Sequence, residues 1–168
     1  MPFELPQPPV VQQRDPNGCW AASFNSWSRA CGIRTVPNED SMIDSFSQLR
    51  GTLNDNHSAT GGGIRSIGHL GFMSIREVRG VTLTASFFES TLRSRGYVYL
   101  AYRPVSDGGS SGHCVVVYGV TGRHVLVMDP DPAVSLPCHV PFDWYLRRTR
   151  AFVGTPIIGS QPIRNPFV

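Results

Sequence analysis

Two runs in the last third of the chain, HCVVVYGV (113–120) and HVLVMD (124–129), are separated only by TGR, and this pattern constrains the fold more than any other feature. β-Branched and aromatic residues dominate both runs, which suits a pleated surface, and so short a connection joins antiparallel neighbours. A third run, YVYLAY (97–102), has the same chemistry. Upstream the periodicity changes. The large apolar residues Trp20, Phe24, Trp27 and Cys31 follow i, i+4, i+7, i+11 spacing, so a helix from 19 to about 31 is expected to bury one face. Asp15 and Asn17 before it are capping types, and Gly32 stands where a helix stops. Shorter helices are expected near 40–49, near 63–69 with a stop at Gly71, and over 83–95 with a stop at Gly96. GTLNDNHSATGGG (51–63) is loop chemistry. Helices first and antiparallel strands second make an α+β layout.

A length of 168 residues suits one domain, and no repeat or low-complexity block marks a boundary within it. Residues 1–11 hold four prolines and 155–168 hold three, so an extended arm and an extended tail are expected at the ends. The N-terminal MPFELPQPPVV has neither a basic start nor an apolar run of signal-peptide length, and no later segment approaches the length of a bilayer span. Neither general secretory export nor a membrane partner is expected. All fifteen basic residues are arginine, scattered along the chain rather than massed into the stripe that a nucleic-acid partner requires. A GC-rich genome explains the missing lysines, and so does avoidance of ubiquitination inside a eukaryotic host.

The four cysteines, Cys19, Cys31, Cys114 and Cys138, lack CxxC spacing, which supports neither a zinc ribbon nor a thioredoxin-type site. His57, His69, His124 and His139 have no metal-ligand spacing, and the glycines at 61–63 lack the lysine of a phosphate loop. Cys19 stands apart because it opens a helix, where the positive end of the dipole and unpaired N–H groups favour thiolate over thiol. Gly18 before it is expected to leave room for an incoming carbonyl. A hairpin centred on Thr121 sets His113 opposite Asp129 on one face, close enough for the carboxylate to fix the imidazole tautomer and stabilise the imidazolium. Asp131 competes for that role, and the hairpin register favours Asp129. Cys114 points to the opposite strand face and is expected in the core. Gln13 lies six residues before Cys19, where its amide could join the Cys19 N–H in stabilising an oxyanion. Its neighbour Gln12 is separated from it only by that spacing.

The Gln13-x5-Cys19 spacing with its WAAS continuation, then GHCVVVYGV and VMDPDP, resembles papain-like cysteine peptidases. The resemblance implies a papain-like α+β fold, with an N-terminal helical half whose central helix carries the cysteine and a C-terminal antiparallel sheet carrying the histidine and aspartate. It further implies Cys19 as nucleophile, His113 as general base and acid, Asp129 as the orienting residue and Gln13 as oxyanion donor, with no metal or organic cofactor. Two compact bacterial branches are similar in size: the peptidase domains that process bacteriocin leaders, and effector peptidases of host-associated bacteria. The LPQPPVVQQ-to-CWAAS run and the DP pair look more like the second. That branch implies a protein or peptide substrate, delivery into a target cell by a specialised secretion system, and an activating or immunity-type inhibitory protein as a further partner. The same triad could serve an amidase toxin acting on peptidoglycan, and a catalytically silent peptide-binding module is the alternative from outside enzymology.

Overall fold

The computed structural model describes residues 2–69, 73–77, 83–102, 112–141 and 157–160. The elements run β1 (Phe3–Glu4), α1 (Cys19–Ala30), α2 (Glu39–Ser47), α3 (Gly61–His69), β2 (Ser74–Glu77), α4 (Ala85–Arg95), β3 (Val98–Tyr102), β4 (His113–Val120), β5 (His124–Met128), β6 (Cys138–Pro141) and β7 (Ile157–Ser160). The sheet is ordered β2-β7-β3-β4-β5-β6, and every pairing in it is antiparallel. β1 pairs with the far end of β4, and Leu5 N–H donates to the Tyr118 carbonyl at 2.9 Å, so the proline-rich arm is docked.

The expected helices and strands are present with small changes of boundary. α3 begins two residues early, on the glycines assigned to a loop, because the Thr60 hydroxyl accepts the Gly63 N–H at 3.0 Å and caps its first turn. The expected stop of this helix at Gly71 lies outside the described residues. Thr84 caps α4 by accepting from Phe87 N–H, which moves its start from 83 to 85, and Gly96 ends it at a φ of 76° that glycine adopts without strain. The tail expected to be merely extended carries β7, which lies inside the sheet between β2 and β3.

Side chains on the three long strands alternate between two cores. Tyr99, Ala101, Cys114, Val116 and Met128 face α1, α2 and α3, whereas Val98, Leu100, Tyr102, Val115, Val117 and Val127 face Phe88 and Leu92 of α4. Burial on both faces is why these strands read as near-continuous apolar runs. α1 is buried more completely than a single apolar stripe predicts, since Ala21, Ala22, Ser23, Ser26 and Ser28 are inside along with Trp20, Phe24 and Trp27. Small side chains on its second face let the sheet and the N-terminal arm approach. Two of the serines return hydroxyl bonds to that backbone, Ser23 to the Cys114 carbonyl at 2.8 Å and Ser26 to the Pro9 carbonyl at 2.7 Å.

Candidate active site

Cys19 is the first residue of α1, and Ser23 one turn later hydrogen-bonds β4, so the start of the helix rests on the start of that strand. Gly18 is the N-cap. It contributes no side-chain cap, and the first turn contains no acidic residue, so the helix end offers its positive pole to the sulfur uncancelled. The expected capping residue Asp15 is used otherwise: its carboxylate accepts the Asn17 N–H at 2.8 Å and its carbonyl accepts the Gly18 N–H at 2.9 Å, closing the turn before the helix.

His113 opens β4, and its Nε2 lies 2.9 Å from Asp129 Oδ1 at the end of β5. The Cys19 sulfur lies 4.0 Å from the carbonyl of Gly112, the residue before His113, and its charge acts on the imidazole. The Tyr102 ring meets the imidazole edge-on at 5.7 Å and limits its rotation. Asp129 is itself fixed by the Asp131 N–H, which donates to Oδ1 at 3.0 Å. The register that brings the pair together differs from a hairpin centred on Thr121. Val116 pairs with Met128 and Val120 with Val125, with an irregularity between Val117 and Gly119. Extended toward the open end, this register sets Asp129 opposite Val115, so His113 and Asp129 are diagonal rather than direct neighbours. Diagonal positions on one face remain within reach of long side chains. Asp131, which the same extension sets opposite His113, turns its carboxylate to the Ala133 N–H instead.

These contacts separate the two titrations. The Cys114 thiol beside Cys19 is the largest influence lowering the Cys19 pKa, and the His113 hydrogen bond and charge act in the same direction. Against the opposing effect of burial, the thiol comes down to about 5. Burial disfavours the His113 cation, but hydrogen bonds and charge from Asp129 and Cys19 outweigh it and raise the imidazole to about 10. Between those values the balance of these influences favours thiolate at Cys19 and imidazolium at His113. Cys114 lies in the core as expected. Its placement in one core cluster with Cys19 was not readable beforehand, because nothing in a strand's alternation tells which helix covers a given face.

Gln13 lies on the same side of the site, tied by its N–H to the Pro130 carbonyl at 2.9 Å, one residue beyond Asp129. Its side-chain amide donates to the carbonyls of Pro16 (2.9 Å) and Asp15 (3.2 Å), and Oε1 is buried with no hydrogen-bond partner. His57 flanks the same loop. Its Nδ1 is 2.8 Å from Asp15 Oδ2 and its carbonyl accepts the Trp20 indole N–H at 3.1 Å, which fixes a backbone held at φ 65°. Among the described residues no cluster of histidine, cysteine and acidic side chains is suited to a metal ion, and no helix is long and apolar enough to cross a membrane.

The chain is similar in structure to a putative C39-like peptidase from Bacillus anthracis, with a TM-score of 0.65 at 14% identity over 98% of this chain and 100% of the other. It is similarly close to the peptidase domain of Streptococcus ComA, a bi-functional ABC transporter involved in quorum sensing, with a TM-score of 0.64 at 17% identity over 93% and 100% of the two chains. The fold is that of the papain-like C39 peptidase domains. A double glycine motif protease from an AMS/PCAT transporter, solved with its leader peptide, matches with a TM-score of 0.60 at 14% identity over 93% of each chain. No family profile and no curated protein matches the sequence. On this fold the first residue of α1 has its sulfur 4.0 Å from the carbonyl of Gly112, just before the first residue of β4.

Removing Asp129 tests its part in the electrostatics. Asp129→Ala takes away the first influence that raises the His113 pKa and leaves burial, which lowers it, so the imidazolium is lost at a lower pH than about 10. The alkaline limb of a kcat/KM profile is expected to move toward neutrality, with a drop on the order of 10²-fold at the plateau. An unmoved alkaline limb would contradict the role of this carboxylate.

Proposed function

We propose that the protein is a cysteine peptidase that hydrolyses peptide bonds through Cys19, His113 and Asp129. The observation that carries the proposal is the placement of Cys19 at a helix N-terminus with its sulfur 4.0 Å from the Gly112 carbonyl, next in the chain to a His113 whose Nε2 lies 2.9 Å from Asp129 Oδ1. The Cys19 thiolate attacks the carbonyl carbon, the carbonyl becomes an oxyanion, and His113 gives its proton to the leaving amine as the acyl-enzyme forms. Water, deprotonated by the now neutral His113, then attacks the thioester, releasing the acid and restoring the thiolate beside the imidazolium. The Cys19 N–H and the Gln13 amide serve the oxyanion. Gln13 contributes by giving up the longer of its resting bonds, the one to Asp15 at 3.2 Å.

The lysine-free composition and the sequence resemblance to effector peptidases support a setting in which the protein acts on a protein of a target cell. A second substrate class, a peptide carrying a double glycine motif, is favoured by the structural similarity to a double glycine motif protease solved with its leader peptide. One experiment separates these readings. The purified protein is incubated with a denatured protein mixture, with internally quenched peptides containing a Gly-Gly step, and with peptidoglycan sacculi, each alongside Cys19→Ala. Cleavage of either polypeptide substrate by the wild type alone supports a peptidase and assigns its class. Cleavage of sacculi alone replaces the peptidase with an amidase, and cleavage of none removes the proposed activity.

A further inference from the structure

Glu39, the first residue of α2, is a carboxylate only 5% exposed, and nothing in the proposed chemistry uses it. Among the described residues it meets no basic side chain in that position. Its oxygens accept backbone N–H groups instead: Arg14 N at 3.1 Å on Oε1 and 3.0 Å on Oε2, and Asp15 N at 2.9 Å on Oε1. Oε1 also occupies the space beside Gly18, since a β-carbon there would lie 2.0 Å from it. The loop from Gln13 to Cys19 is therefore wrapped around a buried anion. The carboxylate binds the loop just after Gln13, and a β-carbon on the residue just before Cys19 would press against it and displace it. The loop has a second tie to α2 in the Arg14–Asp40 ion pair at 2.6 Å, but that pair is exposed, with both side chains about two-thirds accessible.

We infer that Glu39 is a positioning residue for the oxyanion site: it sets the separation between the Gln13 amide and the Cys19 N–H by holding the loop that joins them. A polar group at this kind of site must be placed within about half an ångström to act. The residue works through the loop and touches neither sulfur nor substrate. This role rests on the peptidase reading, and it makes a distinction that a general loss of structure would not. Peptide hydrolysis develops an oxyanion, whereas alkylation of Cys19 by iodoacetamide is a displacement at a saturated carbon and develops none.

The test compares wild type, Glu39→Gln and Gly18→Ala for turnover of whichever quenched peptide the wild type cleaves, and for the rate of iodoacetamide labelling at Cys19. Glu39→Gln keeps the volume but replaces one acceptor with an NH2 group facing the loop's own donors. It is expected to lower kcat by about 10- to 100-fold with KM within about twofold and labelling within about threefold of wild type, on the scale seen when an oxyanion donor is lost or misplaced. Gly18→Ala, which pushes the carboxylate out of its cradle, is expected to give the same split. The double variant should lose little more than either single one, since both break one contact. Wild-type kcat in Glu39→Gln overturns the inference, as does a parallel loss of labelling and turnover, which marks a structural role only. A wild type that labels quickly at Cys19 yet cleaves no peptide overturns the peptidase reading and this inference with it. An active wild type with an unaffected Glu39→Gln overturns this inference alone.

Discussion

Replacing Cys19 with alanine is expected to reduce peptide turnover by at least about 10⁴-fold, to the rate of buffer alone. The drop is large because the sulfur is the bond-forming atom, and the neighbouring thiols cannot replace it. The Cys114 thiol is fully buried with its pKa pushed well up, chiefly by burial, and the Cys138 thiol is pushed up by burial and the Asp129 charge. The fold is expected to survive the change. Only one sulfur atom is removed from a position already at the core's edge, and His113 retains its Asp129 partner, so no charge is left alone. Circular dichroism should show a melting temperature within about 5 °C of wild type. A folded Cys19→Ala protein that still cleaves peptide places the nucleophile elsewhere.

His113→Ala carries the second large effect, and pH separates its two components. In the wild type the thiolate forms as pH rises through about 5, and the imidazolium is lost as pH rises through about 10. Turnover is therefore expected to follow a broad bell with limbs near those values. Alkylation of Cys19, which needs only the thiolate, should instead rise near 5 and stay high on the alkaline side. Without the imidazole, the hydrogen bond and charge it supplied to the sulfur vanish while burial, which raises the thiol's pKa, remains. The alkylation midpoint then moves upward from about 5, and turnover falls on the order of 10²- to 10⁴-fold for want of a proton donor to the leaving amine. Mass spectrometry of the labelled peptide, read against pH for both proteins, checks this directly. An unchanged midpoint would mean that Cys114 and the helix end, not His113, ionise the sulfur.

The elements that position the site were legible because each is short and strongly patterned. The strand from 113 to 120 was bounded to the residue by its β-branched run, and α1 was located by its aromatic spacing, the capping types before it and Gly32 after it. The partnership of His113 with Asp129 was expected from a register that the structure does not adopt. The turn takes in His124 as well as Thr121, Gly122 and Arg123, and the irregularity near Gly119 shifts the ladder again, yet the pair survives as a diagonal one. Direct opposition in the observed register would have favoured Asp131, whose carboxylate is consumed by its own turn. What the sequence did not disclose depends on surfaces brought together over long separations. Glu39 looks like an ordinary acidic residue in the first turn of a helix, and only the approach of the loop 24 residues earlier makes it a buried anchor. The strand at 157–160 was hidden because IIGS lies between prolines in a segment whose composition suggests a tail.

That strand also affects the order in which the molecule is made. β7 is the link between β2 and the rest of the sheet, and it covers the outer edge of β3. Residues 157–160 are synthesised after Cys19, His113 and Asp129, so the growing chain contains all three before β2 has its partner and before the outer edge of β3 is covered. Pairings across such separations form late and slowly. The nascent polypeptide thus passes through an interval with an unfinished scaffold, in which an open sheet edge is available to a chaperone.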